Sequence, residues 1–264
     1  MKKLMTTALA LCLAGALTAC AGGATSEAAS SSEASSEAAS SEASSAAETT
    51  EATVLSYDEY MAADLDTEVT IQAYVQAKQS YYAEQGTATV YLQAQDGGYF
   101  AYDMACAQEE YDAMTEGTQV QITGFKSEWS GEVEIMDGKL DAILDGDTFV
   151  SEPLDVTELL GTDELESHQN EKVKFTGLTV APSTEVAFLY NYDGSGEEGS
   201  DLYFNVSYNG STYSFVIESY LCDASSEVYS AVKNLEVGQT IDCEGFLYWY
   251  EGANPHITSV TVTG

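Results

Sequence analysis

The chain predicts an all-β protein with short helices, in which two five-stranded barrels follow one another along residues 54–264. Three observations predict it. Short alternating stretches recur between glycine-rich turns, as in "EVTIQAYV" (68–75) and "KVKFTGLTV" (172–180). The order of segments is the same in the two halves. Two stretches, "ITGFKSEWSGEVEI" (122–135) and "CEGFLYWYEGANPHI" (243–257), read as hairpins that repeat with a tryptophan, Trp129 or Trp249, at or beside the turn.

Each half opens with a short helical segment whose start carries a capping residue and acids. These are Ser56-Tyr57-Asp58-Glu59 in the first half and Asp155-Val156-Thr157-Glu158 in the second. An alternating strand follows, and then a pair of strands, "ATVYLQAQDGGYFAYDM" (88–104) and "LYFNVSYNGSTYSFVIE" (202–218). Asp96-Gly97-Gly98 and Asn209-Gly210 supply the positive φ angles of tight hairpins. A cysteine-bearing, partly helical segment comes next, then a strand ending in Gly-Phe and a last hairpin. Strand, two-stranded hairpin, helix, strand, strand is the chain order of the OB-fold, a five-stranded Greek-key barrel. The fold class is therefore two tandem OB-fold barrels, 54–150 and 151–264, behind a signal peptide (1–19) and a tether (20–53).

The strand "YFAYDM", the "EGT" turn and "GFKSEWSGEVEI" carry a further resemblance. Over residues 66–140, and more loosely over 170–264, the chain resembles OB-fold modules of bacterial lipoproteins and of some secreted nucleases. The resemblance implies a fold and a binding role, and it brings no catalytic residues. The second half departs from it in a longer, acidic first loop, "APSTEVAFLYNYDGSGEEGSD".

OB-folds commonly bind on the outer face of strands 2 and 3, flanked by the loops between strands 1–2 and 4–5. With the turn at Asp96–Gly98, Tyr91, Gln93, Phe100 and Tyr102 fall on one side. Val90, Leu92, Ala94, Tyr99 and Ala101 fall on the other, more aliphatic side, which should face the barrel interior. Tyr81 and Tyr82 in the first loop and Trp129 at the last hairpin complete the rim. The ligand-binding candidates are thus Tyr81, Tyr82, Tyr91, Gln93, Phe100, Tyr102, Trp129 and Trp249. The same face has an alternative role, packing under the N-terminal helix, the tether or the other barrel. In the second half Leu202, Phe204, Val206, Tyr213, Phe215 and Ile217 should point inward, and Tyr203, Asn205, Ser214 and Val216 outward.

The front of the chain sets an address. Lys2 and Lys3 precede a short apolar run ending in Leu17-Thr18-Ala19-Cys20, which looks like a lipoprotein signal with Cys20 as the lipidated residue. The expected location is therefore extracytoplasmic, at the cell surface, anchored to a bacterial membrane. Residues 21–53 hold only Ala, Gly, Ser, Thr and Glu. With no side chain large enough to order a backbone, they read as a disordered tether spanning roughly 30 Å.

The formal charge is −36, from 44 acids against 8 lysines and no arginine. Residues 54–264 hold 38 of the acids and 6 of the lysines, a net −32. Nucleic-acid binding draws on Lys and Arg displacing counterions from phosphates, so nucleic acid is disfavoured as a partner and follows from fold analogy alone. Glycans, peptides and proteins remain, with a structural role against an envelope protein as the alternative. No cofactor and no enzymatic activity are expected: His168 and His256 stand far apart without nearby cysteines, and no phosphate-binding glycine loop occurs. Asp193, Glu197, Glu198 and Asp201 in "YDGSGEEGSD" are weak calcium candidates that lack the EF-hand spacing. Cys222 and Cys243 are a disulfide candidate, with free, buried thiols as the alternative.

Overall fold

A computed structural model describes residues 53–264; the signal segment, Cys20 and the tether lie outside the described residues. The first sheet contains β1 (Val54–Leu55), β2 (Glu68–Lys78), β3 (Thr87–Gln93), β4 (Gly98–Ala105), β5 (Gln119–Trp129) and β6 (Glu132–Ile143). Its order is β1-β2-β3-β4-β6-β5, and β2 also pairs with β5. That last pairing closes a five-stranded barrel in which β4 and β6 run parallel. Setting β1 aside, the circuit 1-2-3-5-4-1 is that of the OB-fold.

Helix α1 (Tyr57–Ala62) covers one end of this barrel. Ser56 and Glu59 form a reciprocal capping box at its start. At its other end Lys126 Nζ donates to the carbonyls of Met61 (2.6 Å) and Ala63 (2.8 Å), placing a cation at the negative pole of the helix. Tyr57 and Tyr60 pack on Tyr99, and Tyr60 and Tyr99 belong with Val69, Ile71, Leu92, Ile122 and Ile135 to the first core. Helix α2 (Gln108–Ala113) lies between β4 and β5.

The second sheet repeats the circuit with β7 (Leu154–Asp155), β8 (Lys172–Ala181), β9 (Phe188–Tyr190), β10 (Leu202–Tyr208), β11 (Ser211–Ile217), β12 (Thr240–Phe246) and β13 (His256–Val262). Its order is β7-β8-β12-β13-β11-β10-β9, closed by β8–β10. Helix α3 (Glu227–Lys233) sits between β11 and β12, capped by Ser226. The opening helical segment is two 3₁₀ turns, Thr157–Leu159 and Asp163–His168, rather than an α-helix. Asp155 accepts hydrogen bonds from the backbone N–H and the hydroxyl of Thr157 and so fixes the first of them.

Both predicted hairpins form, but the first turns without the expected positive φ: none of Asp96, Gly97 and Gly98 is left-handed. Asn209 (φ 49°) and Gly210 (φ 82°) make a two-residue turn with Tyr208 opposite Ser211. Leu92 pairs with Tyr99 and Tyr91 with Phe100, which gives the expected division of side chains. The two tryptophan hairpins are not alike. Ser130 (φ 52°) and Gly131 (φ 95°) join β5 to β6 in a regular turn. In the second barrel the ladder stops at Phe246 and resumes at His256, with a single Trp249–Ala253 bridge between. Inward and outward positions of the second barrel follow expectation except at two places. Tyr213 is only half-buried, and Val216, though outward and outside the second core, is buried.

The barrels pack on each other. The segment joining them is held on the first: Gln76 donates to the Phe149 carbonyl and accepts from the Ser151 N–H, while the Phe149 ring meets Tyr74 at 5.4 Å. Tyr91, Phe100 and Phe246 form a separate buried cluster across the junction. Tyr91 stacks on Phe246 (4.6 Å between centroids), and its hydroxyl is hydrogen-bonded to His256 Nδ1 at 2.6 Å. Gln93 Oε1 accepts from the Lys172 N–H, Asn170 Nδ2 donates to the Val133 carbonyl, and Gln169 bridges Gly131 and Val133. Gly98 is required here: a Cβ would sit 2.3 Å from the Asn170 backbone.

Candidate functional site

The face expected to bind is divided by this junction. Tyr91 and Phe100 are 1% and 2% exposed and Gln93 is also buried, so these three are withdrawn as surface ligand contacts. They seal the barrels together instead. Apolar rings on an outer sheet face lower the free energy by meeting any apolar partner, and here Phe246 and Tyr248 of the second barrel reach them first. Trp249 is corrected in the same way. Its backbone N–H donates to Glu132, its ring lies against Gly131, and it packs on the second core.

What remains open is a groove beside the junction, in three connected compartments that share Tyr102. The largest cavity, about 810 Å³, is lined by Phe100, Tyr102, Tyr192, Tyr203, Tyr220, Tyr248 and Tyr250 with Glu218, Asn254 and His256. A second, about 390 Å³, lies along the loop after β2, with Gln79, Tyr81, Tyr82, Thr89, Tyr102 and Tyr220. A third, about 410 Å³, is bounded by Tyr102, Trp129, Glu134, Met136 and Tyr248. Tyr81, Tyr82, Tyr102 and Trp129 are therefore brought to one groove, Trp129 with 60% of its surface exposed. The sequence reading missed Tyr192, Tyr203, Tyr220, Tyr248 and Tyr250, all from the second barrel. Only Tyr203 carried a signal, as an outward position of its strand.

Two acids of the groove, Glu134 and Glu218, are withdrawn from solvent, while Glu251 is exposed. Glu218 is pushed up to about 7 by burial, and by Asp201 beside it; its Oε2 accepts from the Leu221 N–H. Burial alone pushes Glu134 up to about 7. Beneath the groove Glu132 is wholly buried: one carboxyl oxygen accepts the Trp249 N–H, the other has no partner, and burial pushes the group up to about 9. His256 is driven down to about 3 by burial and is neutral, consistent with Nδ1 accepting the Tyr91 hydroxyl proton.

The calcium and disulfide candidates do not assemble. Among the described residues no three His, Cys, Asp or Glu side chains converge as a metal-binding group. Asp193 turns onto the Ser195 N–H, Asp201 onto the Ser219 N–H, and Glu198 pairs with Lys233, so these three carboxylates are each engaged elsewhere. Cys222, Cys243 and Cys106 are free thiols, Cys243 buried and the other two half-buried.

No protein-family model and no curated protein matches the chain. Among solved structures, a chain of a replication protein A heterotrimer bound to single-stranded DNA is similar over 75% of this chain at 14% identity, TM-score 0.30. This chain spans about half of that one, 49%. A murine DNA-binding protein bound to double-stranded DNA is similar at 12% identity, covering 73% of this chain and 97% of that one, TM-score 0.34. The Ifi202 HINa domain in complex with double-stranded DNA is similar at 13% identity, covering 75% and 96%, TM-score 0.33. The OB-fold assignment rests on the strand circuits of the two barrels rather than on these neighbours.

Proposed function

We propose that the chain is a non-catalytic binding module whose ligand, a glycan or peptide segment, lies in the tyrosine-lined groove beside the barrel junction. The observation that carries this reading is the convergence of Tyr102, Tyr203, Tyr220, Tyr248 and Tyr250 from both barrels on one open cavity. Tyrosine offers a flat apolar face and a hydroxyl with few torsions to immobilise, which suits sugar rings and extended peptides. Lipid attachment at Cys20 and display outside the cytoplasm, expected from the first twenty residues, belong to the same proposal.

Nucleic acid is a weaker occupant on physical grounds. Single-stranded bases would stack on these rings, but the basic half of that interaction has no counterpart in a groove whose charged residues include Glu134, Glu218 and Glu251. Glycan and peptide arrays probed with the intact chain and with a Tyr203→Ala/Tyr250→Ala double variant test the reading. Binding that the double variant loses supports it. Retention of single-stranded DNA at physiological salt, or cross-linking to one envelope protein through a surface away from the groove with no array signal, overturns it.

A further inference from the structure

The third compartment differs from the rest of the groove. Its walls are three aromatic rings from three segments: Tyr102 on β4, Trp129 at the end of β5, and Tyr248 in the segment after β12. Met136 and Glu134, two residues apart on β6, complete it. Glu134 is only 6% exposed, yet among the described residues its carboxylate accepts no hydrogen bond and forms no ion pair. The neighbouring strand places Ser127 opposite it, and no lysine faces it. Its oxygens open onto the cavity rather than being enclosed, and above neutral pH the group, pushed up to about 7 by burial, carries negative charge into a small space walled by three rings and Met136.

We infer that this pocket takes a quaternary ammonium group of the choline type. Anions are excluded by Glu134 and by a net −32 on residues 54–264. A neutral apolar group would leave the carboxylate as unpartnered as before. A primary ammonium would have acceptors in the carboxylate and two phenols, but it is compact and strongly hydrated and would give up more hydration among three aromatic rings than an alkylated one. An alkylated ammonium needs no acceptor: its charge is spread over methyl groups that rest on aromatic faces, with one carboxylate as counter-charge. The inference does not depend on what fills the wider cleft, because Tyr203 and Tyr250 take no part in this compartment.

The chain has two tryptophans, and Trp129 is the exposed one. Choline titrated at pH 8, where Glu134 is ionised, into the intact ¹⁵N-labelled chain should shift the Trp129 indole N–H signal, identified by its loss in Trp129→Phe, with a dissociation constant on the order of 1 mM or tighter. The neutral isostere 3,3-dimethylbutan-1-ol and the primary amine ethanolamine should bind at least about tenfold more weakly, as a charge-dependent aromatic cage requires. Phosphocholine should bind more weakly than choline, since its phosphate enters an acidic field. Glu134→Gln, which keeps shape and removes charge, should weaken choline about tenfold and leave dimethylbutanol unchanged. Absence of a choline-induced shift, equal binding of dimethylbutanol, or undiminished choline binding by a folded Glu134→Gln variant overturns the inference. Loss of array binding in Tyr203→Ala/Tyr250→Ala with choline binding intact separates this site from the groove.

Discussion

Substituting Gly98 by alanine should pry the barrels apart. The added Cβ would lie 2.3 Å from the Asn170 carbonyl carbon, 2.4 Å from its oxygen and 2.5 Å from the Glu171 nitrogen. Carbon atoms approach comfortably only to about 3.5 Å, and backbone cannot swing aside as a side chain does. Gly98 does not hold a left-handed φ, so no backbone strain confuses the result. A shift of about 1 Å breaks the Lys172-to-Gln93 and Asn170-to-Val133 hydrogen bonds, at about 1 kcal/mol each. Overpacking adds about 1–3 kcal/mol, for a total of at least about 3 kcal/mol. With a denaturant slope of about 3 kcal/mol per molar urea, the unfolding midpoint should fall by at least about 1 M. Circular dichroism and tryptophan fluorescence should report the drop together. A midpoint unchanged from the parent would mean that Gly98 faces open space, and the packing argument would be refuted.

Tyr91→Phe should cost about 1–2 kcal/mol in urea unfolding, because it leaves a buried histidine nitrogen without its hydrogen-bond partner. Glu132 holds its proton in the folded chain up to about 9 but loses it near 4.5 when unfolded, so its contribution to stability falls as pH rises through that window. Glu132→Gln keeps an acceptor for the Trp249 N–H and removes the titration. It should therefore stabilise the chain by about 3 kcal/mol at pH 7 and by little below pH 4.5, as read from melts across pH. Thiol titration of the denatured, never-reduced 53–264 region should count three reactive cysteines; a count of one would restore the Cys222–Cys243 bridge.

The parts legible from the residues are those governed by local rules. Asn209-Gly210 names its turn, and the alternation of Val90, Leu92, Tyr99 and Ala101 against Tyr91, Phe100 and Tyr102 names the two faces of a hairpin. Neither rule says what lies on the far side of a face. Tyr91 and Phe100 are correctly outward from their own barrel and still buried, because their partners, Phe246 and Tyr248, stand about 150 residues away in sequence. The resemblance between the tryptophan hairpins misled for a related reason. Ser130-Gly131 joins a true two-residue turn, whereas 247–255 leaves the ladder to cover the other barrel. Val216, like Tyr91, is outward from its own barrel and buried all the same. Tyr192, Tyr220 and Tyr250 lie in loops and carry no periodicity at all.

The arrangement of the two barrels decides where any ligand can sit, and nuclear Overhauser contacts between ring protons of Tyr91 and Phe246 test it most directly. Ring centroids 4.6 Å apart should give strong cross-peaks, together with a slowly exchanging Tyr91 hydroxyl held by His256. Absent cross-peaks, with Tyr91 open to a soluble paramagnetic quencher, would contradict the account and return the binding face to the first barrel alone.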